Sequence, residues 1–115
     1  ADSGYDVHFK EIGEKHGPFD LAILESGQYN EAWKSIHMMP EETVQASIDV
    51  KAKTLLPVHW GKFSLSLHPW NEPIERVMKK AEELKVEVTT PLIGEPLILG
   101  ESHLTKMWWR EIAAK

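Results

Sequence analysis

The chain contains no cysteine. Disulfides and thiolate metal sites are therefore excluded, and any metal must take His, Asp or Glu ligands. Basic charge is scarce: 13 Lys and Arg stand against 18 Asp and Glu, a net charge of −5. Phosphate binding needs a basic face, so nucleic acid is not expected as a partner. No apolar run approaches the roughly 20 residues that span a bilayer, so no transmembrane segment is expected. The opening Ala1-Asp2-Ser3-Gly4 lacks the basic start and apolar stretch of a signal peptide. A cytoplasmic location is the expectation from these absences.

What is present suits one small domain of 115 residues. Hydrophobic residues make up 42% and there are five tryptophans, enough apolar area for a core. There is no internal repeat and no low-complexity linker. Residues 7–16 combine Val7, Phe9 and Ile12 with interleaved charge and read as a short helix stopped by Gly17-Pro18. "FDLAIL", residues 19–24, reads as a buried strand, and 26–39 as a polar and aromatic loop. Pro40, followed by Glu41 and Glu42, opens a helix whose first turn suits the positive end of the helix dipole. That helix is expected to reach about Ala52, with Val44, Ile48 and Ala52 on one face.

"TLLPVHW" reads as the next strand, with Pro57 at an edge or irregularity because it cannot donate a ladder bond. Pro73 opens a further helix, where Ile74, Val77, Met78, Ala81 and Leu84 keep helical spacing. "VEVTTPLIGEPLIL" reads as two short strands broken at Pro91 and Gly94-Glu95-Pro96. From Ser102, Leu104, Met107, Trp108 and Ile112 predict a terminal amphipathic helix. The order is an α/β alternation. Asp2-Ser3-Gly4 reads as the turn after a strand, so the chain is expected to begin mid-fold.

Six histidines are present, none in His-x-His or His-Glu-x-x-His, so spacing alone writes no metal site. His8 and His16 on a charged helix, and His103 at the start of the tail, read as surface residues. Ser3 lacks the Gly-x-Ser-x-Gly elbow of a nucleophile. Asp2 by itself reads as a turn or cap residue. His37 and His68 stand near prolines and face either a pocket or water. His59 ends an apolar run, and composition leaves two readings: a hydrogen-bonded core residue, or a ring held still for a metal or substrate.

Three blocks carry a resemblance: "ADSGYDVHFKEIGEKHGPFDLAILESGQYN", "IHMMPEETVQA" and "LLPVHWGKFSLSLHPWNEP". In this order they resemble the C-terminal half of metallo-β-lactamase-fold hydrolases. The nearest subgroup is the N-acylphosphatidylethanolamine phospholipase D type with its bacterial relatives, and ascorbate-phosphate lactonases are more distant. The resemblance runs from residue 1 to about 96. It implies an α/β half-sandwich, one sheet with flanking helices, over residues 1–100, with residues 101–115 as an amphipathic helical tail.

The resemblance also implies roles. Asp2 in "ADSGY" matches a catalytic aspartate that bridges two metal ions, and His59 in "PVHWG" matches a metal ligand. His37 in "IHMMPEE" matches a catalytic histidine beside the substrate, and His68 in "LHPWNEP" a position on the pocket rim. The implied cofactor is a divalent metal, zinc, which makes hydroxide available for attack on a phosphodiester or lactone. The family's His-x-His-x-Asp-His motif is absent from this sequence, so the metal site is expected to be incomplete and the isolated chain inactive. The expected partners are an N-terminal half of the fold, or a second copy in a dimer, and a small-molecule or lipid-like substrate. The alternative is a non-catalytic α/β association module that keeps half of the fold.

Overall fold

The structure is a computed structural model and describes residues 1–101 and 105–115. His103 and Leu104 lie outside the described residues. The elements are α1 (His8–His16), β1 (Phe19–Glu25), a 3-10 turn (Glu31–Trp33), α2 (Pro40–Asp49), β2 (Ala52–Val58), α3 (Glu72–Leu84), β3 (Glu87–Val88) and α4 (Trp108–Ala113). The strands form one parallel sheet in the order β1-β2-β3.

α2 begins where Pro40 predicts. Glu42 reaches back to accept the Met39 N–H at 2.9 Å, satisfying a donor the helix leaves open. The helix stops at Asp49, short of the expected Ala52. Lys51 turns left-handed at φ 60°, and its carbonyl accepts the Phe19 N–H at 3.0 Å. The chain is thereby captured by β1, Ala52 opens β2, and Ile48 is left exposed.

β2 runs in the middle of the sheet, yet Pro57 costs it no ladder bond. The Leu55 carbonyl accepts from Thr89 and the Val58 carbonyl from Ser26. Alternate residues serve opposite neighbours, so Pro57 faces the β3 side, beyond the last pair, Leu55–Val88. β3 itself holds two residues, and the second strand expected beyond Pro91 does not form. Pro91 and Pro96 lack ladder donors, and a turn closes between them with Glu95 N–H on the Leu92 carbonyl. Ile93 is left 92% exposed.

The helices cover one face of the sheet. Leu55 packs with Val44 of α2, Ile74, Val77 and Ala81 of α3, and Trp109 of α4. Ala22 packs with Phe9 of α1 and with Ala46 and Val50. The tail therefore folds onto this chain's own core: Trp109 is fully buried, and its indole N–H donates to Glu75 at 2.8 Å. β1, expected as a buried strand, is covered by the helices on one face only. Ile23, paired with Leu56, is 56% exposed on the opposite sheet face.

Candidate metal centre

His59 follows β2 directly, with φ 66°, a left-handed conformation that a bulky residue rarely holds without support. The support comes from the adjacent β1 exit. Ser26 N–H donates to the Val58 carbonyl at 3.0 Å. Gly27 packs so tightly on the next peptide that a Cβ there would lie 1.9 Å from the His59 carbonyl oxygen. On the other side Trp60 donates its indole N–H to the Pro57 carbonyl at 2.9 Å.

Asp2 and His37 arrive together. Ser3 forms an isolated parallel bridge with His37. Gly4 permits it, because a Cβ at that position would meet the Lys34 carbonyl oxygen at 2.3 Å. The His37 N–H donates to the Trp33 carbonyl at 2.8 Å, and its side chain is buried. His59 meets both residues. Its Nδ1 lies 3.7 Å from Asp2 Oδ1, and its ring centroid lies 5.4 Å from that of His37. One potential ligand atom from each of Asp2, His37 and His59 falls within 4.8 Å of the others.

Behind them sits Glu25, the last residue of β1 and 1% exposed. Its Oε1 accepts the Met38 N–H at 2.6 Å, while Oε2 lies 3.5 Å from His37 Nδ1 and 3.8 Å from His59 Nδ1. Burial pushes the Glu25 carboxyl up to about 7; the Met38 N–H and the His59 charge oppose this, and the Asp2 charge adds to it. Sequence reasoning ended the strand at Leu24 and passed over this residue. The available signal was an acidic residue closing an otherwise apolar run.

The donor set fits a divalent metal. Imidazole and carboxylate are both ligands zinc takes, and His59 and Asp2 present one of each toward a common point. His37 Nδ1 and Glu25 Oε2 are buried without a hydrogen-bond partner, as atoms beside an ion site can be.

The other histidines are elsewhere. His68 does not join the cluster: its ring stacks on Tyr29 at 4.0 Å beside a separate cavity of about 340 Å³. The loop carrying it is tied down by Gln28, whose side-chain oxygen accepts the Leu65 and Ser66 N–H groups, each at 3.0 Å. His8 lies 3.2 Å from the Ser3 hydroxyl, and His16 is exposed. A larger, mainly apolar cavity of about 820 Å³ adjoins His59, with Pro57, Trp60, Trp70, Ile93 and Trp108 in its wall.

Known proteins resemble this chain in sequence and in fold. The Beta-lactamase superfamily domain matches residues 1–60. An uncharacterized protein of Mycobacterium tuberculosis is 47% identical over 113 residues, covering 96% of this chain and 30% of its own length. N-acyl-phosphatidylethanolamine-hydrolyzing phospholipase D 1 of Caenorhabditis elegans is 39% identical over 93 residues, covering 74% of this chain and 26% of its own. The chain thus spans under a third of the length of both relatives. A solved metallo hydrolase of the archaeon Ignicoccus hospitalis superimposes with a TM-score of 0.63 at 19% identity, over 90% of this chain and 40% of that one. Its likeness is one of fold: the three parallel strands and their helices match part of a metallo-β-lactamase fold.

Proposed function

This chain belongs to the Beta-lactamase superfamily, and on that premise we propose that it carries the Asp2–His59 part of a divalent-metal hydrolase that cleaves a phosphodiester, as a phospholipase D does. The convergence of Asp2, His37 and His59 within 4.8 Å carries this reading. Asp2 and His59 would hold the ion, and His37 would meet the substrate beside it. A bound divalent ion would supply a Lewis acid and a water made acidic enough to attack near neutral pH. Asp2 brings negative charge to the cation and is 64% exposed at the mouth of the site. His59 is aimed by its left-handed backbone and by Gly27 packed beneath it. The apolar cavity beside His59 suits an acyl chain, which supports a lipid-like substrate over a small polar lactone. His68, next to its own cavity, would line an outer part of the substrate path.

Zinc suits the nitrogen and oxygen donors, and the cysteine-free composition suits a reducing cytoplasm. The chain covers under a third of its relatives' length, which supports further ligands coming from an N-terminal half with His-x-His-x-Asp-His and an isolated chain without turnover. The test is hydrolysis of N-acylphosphatidylethanolamine vesicles and of bis(p-nitrophenyl) phosphate with Zn²⁺, by the chain alone and joined to such a half. Turnover is expected only in the joined form and is lost in Asp2→Ala and His59→Ala. Turnover untouched by both substitutions would overturn the reading.

The second reading, an association module, draws on the uncovered sheet face. Ile23 there is 56% exposed, and Leu67 and Ile93 elsewhere on the surface exceed 90%. An apolar sheet face left open is a candidate interaction surface.

A further inference from the structure

An ionised carboxylate with 1% exposure is tolerated only where its oxygens find donors. Glu25 Oε1 has one in the Met38 N–H. Glu25 Oε2 has no hydrogen bond in this structure, yet it lies between two imidazoles, 3.5 Å from His37 Nδ1 and 3.8 Å from His59 Nδ1. His37 Nδ1 is likewise buried and unpartnered. Both gaps exceed a formed N–H···O bond by less than an ångström, so a small ring movement closes either one. A carboxylate oxygen has lone pairs enough to accept from both rings.

A neutral imidazole that donates through Nδ1 keeps its free lone pair on Nε2. A carboxylate fixed beside Nδ1 therefore selects the nitrogen left for ligation or proton transfer. Histidines that bind metals commonly rely on such a second partner. Asp2 competes for Nδ1 only at His59, and its carboxylate is 64% exposed, where solvent can supply its donors. Glu25 has no such alternative.

We propose that Glu25 is a positioning residue that accepts the Nδ1–H of both His37 and His59, leaving Nε2 of His59 free for a divalent cation and Nε2 of His37 free for a substrate proton. The proposal rests on the reading of these residues as a working centre, but its physical content does not need the metal. One buried carboxylate sets the tautomer of two rings from adjoining segments.

The experiment is long-range ¹H–¹⁵N NMR of the two rings in the metal-free chain, at a pH well above the value of about 7 to which burial pushes the Glu25 carboxyl. Both rings are expected as Nδ1–H tautomers. In Glu25→Gln, which keeps the side-chain shape but has one acceptor oxygen in place of two, at least one ring reverts to the Nε2–H form. Either ring found mainly as Nε2–H in the unmodified chain overturns the proposal, and so does a Glu25→Gln spectrum without change. If Glu25→Gln fails to fold, the unmodified spectrum decides by itself. Zn²⁺ calorimetry separates the two readings. Nδ1–H rings that revert in Glu25→Gln, with no Zn²⁺ heat even after an N-terminal half bearing the remaining ligands is joined, support the role of Glu25 and remove the metal reading.

Discussion

Asp2 Oδ1 stands 3.7 Å from His59 Nδ1, although Asp2 precedes the first helix and His59 follows the second strand. Neither residue reaches the other through local structure. The Ser3–His37 bridge brings Asp2 in, and the β1–β2 ladder brings His59. Both are delivered to one end of the parallel sheet, where β1 and β2 run out into loops, a place where α/β folds commonly put ligands.

That convergence predicts measurable cation binding once an N-terminal half supplies the remaining ligands. In calorimetry with Zn²⁺, Asp2→Ala and His59→Ala should each weaken binding by about tenfold or more, at least the cost of losing a residue that merely supports a ligand. His16→Ala, exposed on α1, should leave binding unchanged. Equal affinity in all three variants would remove the metal centre.

The tail is predicted to be part of the folded unit. Trp109 has no exposed surface and packs against Ile74, Val77 and Ala81. Trp109→Ala should cost about 3–5 kcal/mol in urea unfolding, the usual effect of emptying a large aromatic site. Trp109→Phe should cost less, since it keeps most of the volume and loses the bond to Glu75.

Acid should loosen the same joint. The Arg110 guanidinium holds the Glu75 carboxyl below its ordinary range; partial burial opposes this, and the Trp109 indole N–H adds to it. A carboxyl with a lowered folded pKa contributes stability above its unfolded value, near 4.5, and that contribution fades as pH falls through the folded value. Tryptophan fluorescence should therefore report weakened α3–α4 packing on acidification below about pH 4.5. Glu75→Gln should flatten this part of the profile, and a profile identical to that of the parent would count against the assignment.

Self-association is predicted from the sheet face where Ile23, 56% exposed, pairs with the half-buried Leu56. A closed two-fold dimer is the commonest way to cover such a face. Sedimentation should show mass rising with concentration, and Ile23→Lys should shift the chain toward monomer. A well-folded monomer at all concentrations would speak against it.

Much of the fold was legible because its signals are local. α3 announces itself by Pro73 at its start and apolar residues at helical spacing, and all of Ile74, Val77 and Ala81 are buried. The expected strand after Pro91 failed because an apolar run needs a neighbour as well as a composition. The overlong α2 was a boundary error: β1 captured Lys51 and ended the helix, a competition that periodicity does not record. Asp2, His37 and His59 were picked out by resemblance to a family, since no spacing rule joins them. His68 was expected near the same opening and stacks on Tyr29 instead.

By itself the sequence determined the alternation of helices and strands, the exclusion of thiolate chemistry, and the residue types available to bind a cation. These depend on composition and on periods of a few residues, which survive in a linear string. Only the tertiary structure decided that Asp2, His37 and His59 meet, that the tail's Trp109 closes the core, and that Glu25 is buried behind two imidazoles. Those relations come from strand register and from close backbone contacts such as Gly27 on His59. A contact between residues far apart in sequence has no period for the sequence to display.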